Sequence, residues 1–160
     1  LTHRRLLTLA GPGGTGKTRL ALQAASGLLG AFRNGVYFVS LAPVESAAMI
    51  PQAIAETIGF PLSSHEDPQR QLLRHLRHRQ YLLILDNFEH LLSGAPLVSK
   101  ILQHTSRVQI ISTSREKLNL GEETVYRIEG LSYPHQLPQK ETPGTILCAH
   151  FSAFPETPKP

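Results

Sequence analysis

Gly11-Pro12-Gly13-Gly14-Thr15-Gly16-Lys17-Thr18 is the stretch on which the reading of this sequence turns. It satisfies G-x-x-x-x-G-K-[ST], the pattern of a phosphate-binding P-loop. Its flanks agree with that reading. Leu6-Leu7-Thr8-Leu9-Ala10 ahead of it is short and apolar, as a buried parallel strand requires. Arg19-Leu20-Ala21-Leu22-Gln23-Ala24-Ala25 behind it is rich in helix formers and free of Gly and Pro. Strand, glycine turn and helix N-terminus make an anion cradle, because converging backbone N–H groups and the helix dipole both favour phosphate oxygens. Gly11, Gly13, Gly14, Thr15, Gly16, Lys17, Thr18 and Arg19 are the expected nucleotide-binding residues. Lys17 is expected to reach the β- and γ-phosphates, and the Thr18 hydroxyl to ligate Mg²⁺.

Downstream, Tyr81-Leu82-Leu83-Ile84-Leu85-Asp86 is an apolar run ending in an acid. A carboxylate at the C-terminal end of a buried parallel strand faces the ligand crevice. Asp86 is therefore the expected Walker B acid, holding Mg²⁺ opposite Thr18. Between the two motifs, Val36–Leu41 reads as a strand launched by Gly35, and a helix follows with Ile50, Ile54, Ala55 and Ile58 at helical spacing and Pro51 in its first turn. Residues 61–68 read as a surface loop. Beyond Asp86 the pattern predicts a helix over Leu91–Thr105, a strand over Val108–Arg115 that ends in polar residues, and a last strand over Thr124–Ile128. One βα unit between P-loop and Asp86 implies an additional strand between their two strands. The expected fold is a P-loop NTPase three-layer αβα sandwich with a parallel sheet of order 5-1-4-3-2.

A helix from about Gln69 carries Leu72, Leu73 and Leu76 on one face and Arg70, Arg74, His75, Arg77, His78 and Arg79 on the other. That basic face reads as a solvated surface rather than a nucleic-acid patch, since charges alternate with core leucines as a surface helix requires. The 160 residues suffice for one domain with a real core. A formal charge of +4 suits polyanions without proving them. The single cysteine, Cys148, excludes an internal disulfide framework. With no membrane-length apolar run and no signal-peptide pattern, the expectation is a cytoplasmic protein. The chain opens on Leu1 and its only methionine is Met49, which suggests a piece of a longer polypeptide. Residues 1–133 read as the nucleotide-binding domain and 134–160 as a proline-rich, irregular tail, half of the twelve prolines falling there.

The motifs together resemble the bacterial STAND (NB-ARC-like) signalling ATPases, over roughly residues 5–133. Gly11–Ala21 is similar to that family's P-loop, Leu82–Leu91 to its Walker B segment, and Ser112-Thr113-Ser114-Arg115-Glu116-Lys117-Leu118 with Gly121, Glu122 and Tyr126 to its sensor stretch. The resemblance implies the ATP/ADP switch of a LuxR- or SARP-type transcription regulator. Helical, winged-helix and ligand-sensing domains would then lie elsewhere in the polypeptide, DNA would be met only through domains not present here, and activation could bring self-oligomerisation. It also implies that Arg115 reads the γ-phosphate. Asn87 stands where related ATPases carry a catalytic glutamate; it can orient a water but cannot take its proton. Glu89 is the nearest carboxylate, as apt to be a favourable charge at a helix start as a catalytic group. Slow Mg-dependent ATP hydrolysis follows as the expectation. Two alternatives stay open: an AAA+-like ATPase acting on nucleic acid, and a nucleotide-binding module that does not hydrolyse.

Overall fold

The structure, a computed structural model, describes residues 4–129. The tail assigned to 134–160 lies outside the described residues. Five strands form one parallel sheet of order β2-β3-β4-β1-β5: β1 (Leu6–Ala10), β2 (Gly35–Ser40), β3 (Tyr81–Asp86), β4 (Gln109–Ser114) and β5 (Glu123–Arg127). β4 lies between the P-loop strand β1 and the Asp86 strand β3, pairing Leu6 with Ile110 on one side and Leu82 with Gln109 on the other. This is the additional-strand order expected from the sequence.

β3 and β4 are buried on both faces, which is why β3 reads as an unbroken apolar run rather than an alternating one. One face packs Leu9, Leu82, Ile84 and Ile111 against Ala21 and Ala25 of α1 (Lys17–Ser26) and against Phe32. The other face packs Leu6, Val39, Leu83, Leu85 and Ile110 under three helices: α2 (Ile50–Thr57), α3 (Pro68–Leu76) and α4 (Ala95–His104). Those helices contribute Ile50 and Ile54, Leu72 and Leu76, and Val98, Ile101 and Leu102. Arg5, just before β1, donates to the carbonyls of Leu102 and Thr105, so it satisfies acceptors that the end of α4 leaves free.

Local features refine the sequence reading. The single helix expected over Leu91–Thr105 is two: a 3-10 helix at Phe88–Gly94 and then α4. The kink is at Leu91, which leaves helical geometry (φ −117°, ψ 25°), and Pro96, with no N–H to give, sits in the first turn of α4, where none is needed. The connection from β4 to β5 uses residues 115–122 without a helix; Leu118 plugs the core, and the Glu123 carboxylate accepts from the Leu118 N–H at 2.8 Å. On α3, Gln71 is buried rather than outward. Its amide bonds the backbone of Ser63, at 2.8 and 2.9 Å, and of Glu66, at 2.7 Å, fixing the loop that leads into the helix.

His75 does not share the exposed basic face either. It stacks on Phe60 with centroids 4.1 Å apart, and its Nε2 lies 3.3 Å from the Tyr81 hydroxyl. Burial, and secondarily the Arg79 charge, lowers its pKa below the ordinary 6.5. The unfolded chain therefore takes up this proton first. His75's contribution is intact above pH 6.5 and is lost as the pH falls from there toward the lowered folded value. Chemical-denaturation midpoints measured from about pH 7.5 to about pH 5.5 should fall more steeply in the parent than in His75→Gln; parallel curves would contradict this environment.

Candidate functional site

The C-terminal ends of β1, β3 and β4 form one edge, and the P-loop, Asp86 and Arg115 all reach it. Gly11 has to be glycine because a Cβ there would collide with the Ile128 carbonyl just past β5. Gly16, at φ 81°, makes the left-handed turn into α1 that a side chain would strain. No side chain caps α1 at this end, so its first-turn N–H groups are offered to a ligand. The Thr15 hydroxyl closes the loop on the Pro12 carbonyl at 2.9 Å.

Lys17 is only 8% exposed, and its Nζ donates to the carbonyls of Gly11 at 2.8 Å and Pro12 at 2.6 Å. Among the described residues no carboxylate pairs with it. A buried ammonium held by neutral oxygens alone leaves the loop with an uncompensated positive charge, a strong attraction for an anion. Arg19 is exposed on the first turn of α1. The Arg115 guanidinium lies across the loop, its Nη2 3.7 Å from where a Gly13 Cβ would stand.

Asp86 faces α1. Its Oδ1 accepts from Thr18 Oγ1 at 2.7 Å and from Thr113 Oγ1 at 2.7 Å. The Thr113 hydroxyl in turn accepts from the Asn87 N–H at 3.0 Å, and Asn87 turns the chain in a left-handed conformation (φ 68°). Thr113 was quoted in the sequence only as part of a stretch, without a role. Its signal was there in principle: near the end of the strand between P-loop and Asp86, alternate side chains face α1, and the Thr113 hydroxyl can both donate and accept there.

Beyond Asp86, Glu89 Oε1 stands 3.4 Å from Arg115 Nε, while its Oε2 is buried with no hydrogen-bond partner among the described residues. Arg115 itself is 66% exposed, so the pair is loosely held and free to exchange partners. One hydroxyl and one carboxylate, hard oxygens with room beside them, fit Mg²⁺, which keeps several waters and takes its remaining ligands from phosphate. The structure thus brings Lys17, Thr18, Asp86, Glu89 and Arg115 to one edge.

Fold and site define a P-loop NTPase domain. The chain belongs to the AAA domain family, whose model matches residues 1–120. A candidate HTH-type transcriptional regulator of Mycobacterium tuberculosis is 38% identical over 133 residues, 82% of this chain and 15% of that protein. An uncharacterized protein of the same organism is 32% identical over 133 residues, 82% of this chain and 34% of that one. The chain therefore spans a minor part of the length of these relatives. Cdc6p of Pyrobaculum aerophilum superposes with a TM-score of 0.55 at 19% identity, over 77% of this chain and 38% of that chain, a likeness of fold. Among the described residues no helix is long and apolar enough to cross a membrane.

If Thr113 positions Asp86, replacing it with the near-isosteric valine leaves the Asn87 N–H and one carboxylate oxygen short of a partner. Thr113→Val should lose about 1–3 kcal/mol in urea unfolding, the cost of stranding buried polar groups. A stability within error of the parent would show the contact to be idle.

Proposed function

We propose that this domain is the ATP/ADP-operated switch of a longer transcription or signalling regulator. The observation that carries the reading is the buried, uncompensated Lys17 ammonium inside a glycine loop at the start of α1. In this reading Gly11, Gly13, Gly14, Thr15, Gly16, Lys17, Thr18 and Arg19 bind the phosphates, and Thr18 with Asp86 holds Mg²⁺. Bound there, the metal would offset phosphate charge. Thr113 keeps the Asp86 carboxylate turned toward Thr18. The regulators among the sequence relatives support a partner role in transcription, with helical, winged-helix, sensing and DNA-binding domains supplied outside residues 1–133 and self-oligomerisation on activation. The STAND (NB-ARC-like) assignment rests on the three motifs and on the seat of Arg115 beside the loop. A cytoplasmic site of action fits the single cysteine.

Calorimetric titration with Mg-ATP and Mg-ADP tests the site. Lys17→Ala should weaken both by about tenfold or more, the worth of a charge-assisted bond to phosphate. Equal affinity in variant and parent would sink the assignment.

Hydrolysis is slow in this account because Asn87, directly after Asp86, cannot accept a proton, and the nearest carboxylate, Glu89, stands two residues further on and is paired with Arg115 until nucleotide binds. A γ-phosphate beside Gly13 draws the guanidinium away and leaves the Glu89 carboxylate free to take the proton of an attacking water. The longer parent protein should turn over slowly, and Glu89→Gln should lower its single-turnover rate by about 100-fold or more, as expected for loss of a general base. An unchanged rate removes Glu89 from the chemistry, and fast multiple turnover by the parent contradicts the switch.

A further inference from the structure

The opposite edge of the sheet, where the strands begin, is lined with arginines that the sequence scatters. Arg4 precedes β1, Arg33 precedes β2, Arg77 and Arg79 precede β3, and Arg107 precedes β4. The topology gathers them. The Asn34 N–H donates to the Gln80 carbonyl at 3.1 Å and the Gln80 N–H to Asn34 Oδ1 at 2.8 Å, which brings Arg33 next to Arg79. Pairing of Leu82 with Gln109 carries Arg79 toward Arg107. The Ile110 N–H donates to the Arg5 carbonyl at 2.8 Å, so Arg4 enters beside the same stretch. Four adjacent strand starts thus carry positive charge across ~15 Å, three inter-strand gaps.

All five side chains are exposed, and among the described residues none has a carboxylate partner. By contrast Arg74, on the outward face of α3, is clamped on both Glu66 oxygens at 2.6 and 2.8 Å. Acids at this edge sit at its far end. Glu122 accepts from Ser99 at 3.1 Å, and Glu123 is spent on the Leu118 and Leu120 N–H groups. The balance of charge is therefore local and unmet.

Against the expectation that Arg77 and Arg79 are only solvated surface and that DNA is met through other domains alone, we propose that this arginine edge docks the sugar-phosphate backbone of duplex DNA, without reading sequence. Guanidinium groups match phosphate geometry and are weakly hydrated, so they suit a polyanion better than a single ion. Among the described residues the edge offers no open stacking platform: Phe32 and Tyr81 are buried, and the half-buried Tyr37 ring is turned edge-to-face onto Tyr81 with its hydroxyl on the Asn34 carbonyl; that disfavours single strands. Among the described residues it also lacks the apolar centre of a protein interface, Leu29 being the one exposed large hydrophobic close by. A duplex presents a charge about every 1.7 Å of axis, so ~15 Å of edge faces more phosphates than it has arginines. Base recognition would belong to other domains; this edge would hold the ATPase against flanking DNA. It lies at the opposite ends of the strands from Lys17 and Asp86, so the proposal stands or falls apart from the nucleotide assignment.

The test is fluorescence anisotropy with a labelled duplex of about 25 base pairs and arbitrary sequence, titrated from about 50 to 200 mM NaCl. With three to five phosphates engaged, the slope of log K against log salt should be about −2.7 to −4.5. Combined Arg33→Gln, Arg79→Gln and Arg107→Gln should flatten it by about 2 to 3, whereas the corresponding three lysine substitutions should largely keep it. Arg74→Gln should bind as the parent does, and saturating Mg-ATP should leave binding unchanged. Thermal melts of each variant matching the parent secure the comparison. A parent slope flatter than about −1 overturns the proposal, as does an equal loss in Arg74→Gln. So does displacement of the duplex by an equal charge of poly-glutamate at lower concentration, which would make an acidic protein the partner.

Discussion

Everything at the nucleotide edge depends on one carboxylate oxygen. Asp86 Oδ1 receives hydroxyls from α1 and from β4 at the same 2.7 Å, so a single acceptor ties together the helix after the P-loop, the inserted strand and the Asp86 strand. The constraint reaches further. Thr113 also holds the Asn87 N–H, which fixes the left-handed turn that carries the chain off β3 and sets Glu89 beside Arg115. The two threonine hydroxyls hold this carboxylate at the edge, and among the described residues no salt bridge reaches it. A site with one such carboxylate and one buried ammonium, Lys17, is arranged for a metal on one side and phosphate on the other.

A parallel sheet separates its two edges by the length of a strand, and this chain uses both. At the strand ends the chain places hydroxyls, carboxylates and the glycine loop; at the strand starts it places unpaired arginines. α1 alone links the phosphate loop to the far edge on its face, ending near Phe32 and Arg33.

Much of the fold was legible because its signals are local. Leu6–Ala10 and Tyr81–Asp86 are the observed strands to the residue, since a doubly covered parallel strand has to be apolar throughout and has little else to be. The strand order followed from the one βα unit between two motifs. What escaped depends on tertiary register. Thr113 resembles any polar residue closing a strand until β4 is placed between β1 and β3. His75 and Gln71 are polar residues on a charged helix, and only Phe60, Tyr81 and the loop at Ser63 turn them inward. The arginine edge is invisible in sequence because its members are separated by whole βα units. Pro96 is legible in sequence as a residue suited to the first turn of a helix, and α4 accordingly starts at Ala95.

The account rests on Asp86 as the point where protein holds the metal of a metal-nucleotide complex, and one measurement reaches it most directly. ATP affinity with and without Mg²⁺ should be compared in the parent and in Asp86→Asn, whose carbonyl oxygen can still accept from Thr18 and Thr113. In the parent Mg²⁺ should tighten ATP binding by about tenfold or more, and in the variant that gain should largely vanish while metal-free affinity is kept. An equal Mg²⁺-dependent gain in both proteins would contradict the account.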